Sequence, residues 1–151
     1  MESTKNTIYE NRDSRSFYVY GRRVATMKLF LRNNGLLSEM RPIQVIDIDE
    51  EGLGDVLTNL LSDAQIGDEV PEERIPTERE IAKAIRIPSR KSLKGSARLI
   101  CVDWDGSAYR LSWWKAIWGG WEPHTSEDFP GDKAHGRRSV VDRLCREFGA
   151  E

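Results

Sequence analysis

The dipeptide Asp105-Gly106 lies between two apolar-rich runs, Ala97 to Trp104 and Ser107 to Trp114, and it limits the fold of this chain more tightly than any other feature. Both residues tolerate the positive φ that a type I′ hairpin turn needs at its central positions. A two-residue turn at this point pairs Trp104 with Ser107, Val102 with Tyr109 and Ile100 with Leu111. One face of the hairpin then carries Ile100, Val102, Trp104, Tyr109, Leu111 and Trp113, an apolar set that requires burial. The other face carries Leu99, Cys101, Asp103, Arg110, Ser112 and Trp114, a mixed set expected to be only partly covered. A slip of one residue would turn every apolar side chain to the wrong face.

Three further strands are expected upstream. Phe17-Tyr18-Val19-Tyr20 ends at Gly21, Val24 to Arg32 follows with Met27, Leu29 and Leu31 opposite Lys28, Phe30 and Arg32, and Ile43 to Ile48 is rich in β-branched residues. Together they predict an antiparallel meander. Leu53, Val56, Leu57, Leu60, Leu61 and Ala64 recur at helical spacing and form one continuous apolar stripe. Thr77-Glu78-Arg79-Glu80 fits a capping box opening a short helix to about Ile85, and Ser89 is positioned to cap another short turn that stops at Gly95. Trp118 to Trp121 and Pro123 to Gly136 read as irregular, and Val140, Val141, Leu144, Cys145 and Phe148 form the stripe of a last helix ending at Gly149. Residues 1–15, mostly polar, read as a flexible N-terminal segment, and 16–151 read as one α+β domain with a mainly antiparallel sheet and packed helices.

Composition narrows the class without naming a function. Thirteen aromatics among 151 residues supply a real core, and no apolar run approaches the length needed to span a bilayer. No secretory signal precedes the first strand, so the cytoplasm is the expected compartment and a membrane is not an expected partner. Cys101 and Cys145 are too few for a disulfide framework and are expected to be reduced. Charge is unevenly distributed. Asp47 to Glu80 holds twelve acids against Arg74 and Arg79, whereas Ile81 to Val102 holds no acid and includes Lys83, Arg86, Arg90, Lys91, Lys94 and Arg98. Asp49, Glu50 and Glu51 favour the start of the following helix, but Asp68, Glu69, Glu72 and Glu73 have no such explanation.

Catalytic signatures are weak. Gly52-Leu53-Gly54 lacks the remainder of a phosphate-binding loop, and His124 and His135 lack the i, i+4 spacing of a helical zinc site. His135 with Asp132, or Cys145 with a distant histidine, has no third orienting group, and Cys145 falls on an apolar stripe. The chain is therefore read as a non-enzyme with no metal and no cofactor. Trp113, Trp114, Trp118 and Trp121 fall within nine residues, more than a hairpin and a short loop can bury, so some are expected at a protein interface. The acid-free stretch 81–98 supports a rival reading, a nucleic-acid-binding regulator. A small hydrolase using His124 or His135 is the third.

Several short motifs, taken in order, resemble a bacterial family of immunity proteins from contact-dependent growth inhibition systems. They are Arg15-Ser16-Phe17-Tyr18-Val19-Tyr20, Asp49-Glu50-Glu51-Gly52-Leu53-Gly54-Asp55-Val56-Leu57, Lys91-Ser92-Leu93-Lys94-Gly95-Ser96-Ala97 and Gly119-Gly120-Trp121-Glu122-Pro123. They span most of the stretch from Phe17 to Pro123. The resemblance implies a small cytosolic protein that binds and blocks the C-terminal toxin domain of a delivered effector, without catalysis and without nucleic acid as a partner. Toxins of this kind are often nucleases with basic surfaces, which suits an acidic inhibitor. The residues expected to touch the toxin are Asp55, Asn59, Asp68, Glu69, Glu72 and Glu73 around the acidic helix and loop, with Trp114, Trp118 and Trp121 as aromatic anchors.

Overall fold

The computed structural model describes residues 12–31, 37–68 and 75–149. The order is β1 (Asp13–Tyr20), β2 (Arg23–Leu31), β3 (Leu37–Asp47), α1 (Leu53–Ser62), β4 (Gly67–Asp68), α2 (Glu78–Ala84), α3 (Leu93–Ser96), β5 (Arg98–Trp104), β6 (Tyr109–Ile117), β7 (Gly120–Phe129) and α4 (Lys133–Gly149). The strands form one sheet ordered β3-β2-β1-β5-β6-β7, antiparallel along that path, with the short β4 pairing parallel to the end of β2. This is the α+β arrangement with packed helices that the sequence predicts.

Because β1 lies at the centre of the sheet, both of its faces need cover. On one face Phe17 and Val19 join Ile100, Val102 and Leu111 beneath α1 and α4, which contribute Leu57, Leu61, Val140, Leu144 and Phe148. Burying each of these large side chains contributes about 1.5–3 kcal/mol relative to exposure. On the other face Tyr18, Ala25, Met27 and Leu99 pack beneath Ile81 and Ile85 of α2, Ile87, and Leu93 of α3. The second face thus has a core of its own, more than its mixed composition suggests.

The hairpin keeps its predicted faces but not its predicted register. Trp104 pairs with Tyr109, Val102 with Leu111 and Ile100 with Trp113, so the loop is Asp105 to Ala108 rather than two residues. The Asp105 carboxylate accepts hydrogen bonds from the Ser107 and Ala108 amides at 2.8 and 2.9 Å, closing the loop as an Asx turn. A shift of two leaves every side chain on its own face, so the apolar phase cannot distinguish the two registers.

Other boundaries also move. β1 begins at Asp13, and Asp13, Ser14, Arg15 and Ser16 are buried, so part of the expected flexible segment is core strand; 1–11 lie outside the described residues. Phe30, expected among the polar set of its strand, is fully buried. The short helix before β5 starts at Leu93, not near Ser89: the Ser92 hydroxyl accepts from the Gly95 amide at 3.1 Å, and Gly95 lies inside the turn. Gly120 to Phe129, expected to be irregular, is β7, and α4 begins at Lys133, where the Asp132 carboxylate accepts from the His135 amide at 2.9 Å.

At Gly136, α4 lies close against the sheet. A Cβ there would stand 3.1 Å from Cδ2 of Tyr109 and 3.5 Å from the Phe129 carbonyl oxygen. Gly136→Val should therefore overpack this contact and cost about 1–3 kcal/mol, read as a lower urea midpoint with an unchanged slope.

Candidate functional site

The expected site residues fall on two parts of the molecule. Asp55 and Asn59 are exposed on the outer side of α1, as the apolar stripe requires. Glu69, Glu72, Glu73 and the Asp68 side chain lie outside the described residues; the Asp68 backbone pairs with Leu31 at the end of β4. Trp114 and Trp121 pack partly buried against the second core, Trp121 meeting the Tyr18 ring edge-on at 6.0 Å. Trp118 differs from both. It is 99% exposed, in the two-residue turn between Ile117 and Gly120, and Ile117 beside it is 40% exposed. Gly119 takes φ 88° in that turn.

The strand registers show how these parts relate. Asp47 pairs with Arg23, Tyr20 with Arg23, Val19 with Arg98 and Leu99 with Trp114. The β1–β2 turn, the exit of β3 toward α1 and the β6–β7 turn therefore share one end of the sheet. Lys94 of α3 fastens this end by donating from Nζ to the Ile117 carbonyl at 3.1 Å. Asp55, in the first turn of α1, is placed at the same end as Trp118, whereas Trp114 and Trp121 face the opposite side of the sheet from α1.

The basic stretch is divided as well. Lys94 is engaged as described, and Arg98 lies 3.7 Å from the Glu147 carboxylate. Lys83, Arg86, Arg90 and Lys91 are exposed. His124 is exposed on β7 and His135 on the first turn of α4. Among the described residues no three His, Cys, Asp or Glu side chains gather in a metal-binding arrangement.

A buried polar row on the second sheet face escaped the sequence reading. Glu39 reaches from β3 across β2 to accept hydrogen bonds from the Ser16 hydroxyl and, at 2.9 Å, from the Tyr18 hydroxyl. One register further, the Ser14 hydroxyl donates to the Asp103 carboxylate at 2.6 Å. Burial pushes both carboxyls above their ordinary values, and the serine and tyrosine hydrogen bonds pull them only part of the way back. The Cys101 thiol between them is pushed up by the same burial and by the two acids, which keeps it neutral and weakly nucleophilic. The only sequence signal for this row was the alternation of Ser14, Arg15 and Ser16 running unbroken into an aromatic strand.

Arg15 points to the opposite face and is almost fully buried. Its guanidinium donates to the Thr26 hydroxyl, the Gln44 side-chain carbonyl at 2.9 Å and the Asp63 backbone carbonyl. Loss of water lowers its pKa to about 10, and the nearby Asp63 carboxylate partly opposes that shift.

A carboxyl with a folded value above its unfolded one contributes stability that is present below the unfolded value and lost as pH rises through the folded value. Glu39 is such a group. The protein should lose stability as pH climbs above the ordinary glutamate value of 4.5, and Glu39→Gln should flatten that decline. Urea unfolding across a pH series checks this; parallel profiles for the two proteins would refute it.

The chain matches no protein-family model, and no curated protein matches it. Among solved structures it is similar to a protein of unknown function, NMB0488, from Neisseria meningitidis. That match has a TM-score of 0.65 and 11% identity, and covers 91% of this chain and 95% of the other. No helix among the described residues is long and apolar enough to cross a membrane. What the likeness shows is the fold: an antiparallel sheet with packed helices in a single domain.

Proposed function

We propose that the chain is a toxin-neutralising immunity protein, acting in the bacterial cytoplasm by binding the toxin domain of a contact-dependent growth inhibition effector. The observation that carries this reading is Trp118, a bare indole held on a tight turn. An exposed tryptophan has only two side-chain torsions to fix and a large apolar area to desolvate, which is the chemistry of an interface anchor.

The resemblance motifs support the same surface. Asp49 to Leu57 opens α1, Lys91 to Ala97 builds α3, and Gly119 to Pro123 turns β6 into β7. Lys94 of the second donates to the Ile117 carbonyl at the end of β6, two residues before the third. A partner seated over this end of the sheet would meet Trp118 and the acidic start of α1 together, a combination that suits a basic toxin domain. Inhibition of this kind needs no cofactor and no catalytic group on this chain. The rival nucleic-acid reading is weakened, since Lys94 and Arg98 are occupied by contacts within the chain.

The partner to test is the C-terminal domain encoded by the adjoining upstream reading frame. Trp118→Ala should weaken binding by about 2 kcal/mol, roughly thirtyfold, mostly through faster dissociation, with no loss of thermal stability. Asp55→Lys should instead slow association at low salt, an effect that disappears as ionic strength rises. Surface plasmon resonance at two salt concentrations separates the two. Wild-type kinetics for both variants, or no complex with that domain, would end this reading.

A further inference from the structure

We propose that the groove between α2 and α3 docks an acidic peptide segment carrying an apolar side chain. This goes beyond the immunity reading, because it concerns the α2–α3 groove rather than the Trp118 turn and a partner charge of opposite sign.

The groove encloses about 530 Å³. Its floor is apolar, built from Ala82, Ile87, Pro88 and Leu93, and its rim carries Arg79, Lys83, Arg86 and Lys91, all exposed. None of these four cations pairs with a carboxylate among the described residues. Glu80, the neighbouring acid on α2, is turned away into an ion pair with Arg41, leaving Glu78 as the one acid of the lining among the described residues. Among the described residues the rim is therefore four cations to one acid around an apolar floor, which complements carboxylates flanking an aliphatic side chain.

A second observation is independent of charge. Arg86 has φ 63°, the only positive φ outside glycine among the described residues. The Ile87 amide donates to the Ala82 carbonyl at 2.9 Å and the Arg86 amide to the Lys83 carbonyl at 3.1 Å, so α2 closes in a Schellman motif. Glycine takes this left-handed position without strain; here it is filled by a residue whose side chain reaches the rim. Backbone strain held beside a cavity points to use of the side chain that bears it.

Among the described residues no aromatic ring lines the groove, so they offer no stacking platform for nucleobases. This favours a peptide over single-stranded nucleic acid.

The test uses the full chain and fluorescence anisotropy with three labelled probes of equal charge: a Glu-Glu-Leu repeat peptide, a Glu-Glu-Gly repeat peptide and oligodeoxythymidylate. The Leu-containing peptide should bind at least about tenfold more tightly than the other two. Arg86→Gly should weaken it about fivefold or more while thermal stability holds or rises, because strain is relieved. Lys83→Ser provides the second variant should Arg86→Gly fail to fold. Tighter binding of the oligonucleotide would make the groove a nucleic-acid site, and equal binding of the two peptides would reduce it to a diffuse cation patch. Unchanged binding in the variants would remove the groove as the site; each of these outcomes overturns the proposal.

Discussion

The antiparallel pairing of β1 with β5 is the constraint on which the rest of the structure depends. It runs from Asp13 opposite Trp104 to Val19 opposite Arg98, and it joins two local meanders, β1-β2-β3 and β5-β6-β7, that have no other extended strand contact. Because the junction is central, β1 is buried along nearly its whole length. The chain between the meanders must then supply cover for both faces: α1 goes to one and α2 and α3 to the other, with α4 returning to the first. Closing that long loop costs entropy before the contact is made, so formation of this junction is the slow step expected in folding.

Elements with one buried and one exposed side were legible in the sequence. The stripe of α1, the Thr77–Glu80 capping box and the faces of the β5–β6 hairpin follow from periodicity and local chemistry, and all three are present. What periodicity could not settle was any shift by a whole period, as the Asp105 loop shows. Nor could it find strands without alternation. β7 runs Pro123 to Asp128 through exposed residues with no large apolar side chain among them, so it carries no apolar rhythm to read. The start of β1 fails for the opposite reason: its polar residues are buried, and their partners, Gln44, Asp63 and Asp103, are distant in sequence.

The candidate site was legible to a similar degree. Four clustered tryptophans signalled an interface, but only tertiary packing decides which indoles face inward. Trp113 is held by Glu147 and by Arg143 5.1 Å above its ring, Trp114 and Trp121 by the second core, and Trp118 by nothing. Glu39 itself carries no such signal, because a lone glutamate in a strand has no local signature when its hydrogen-bond donors belong to a strand two positions away.

The strand order has one more consequence. β3 and β7 are the free edges of the sheet, and an edge is a template on which another chain can extend the ladder and begin to aggregate. Both edges are blunted. β3 carries an exposed Pro42 between Arg41 and Ile43, and β7 carries an exposed Pro123 opposite a bulge at Trp113 and Trp114, followed by Glu127 and Asp128. An approaching strand meets a proline, which lacks an N–H, on either edge and exposed acids on β7, so the molecule can present a bare indole at one end without offering its backbone for polymerisation.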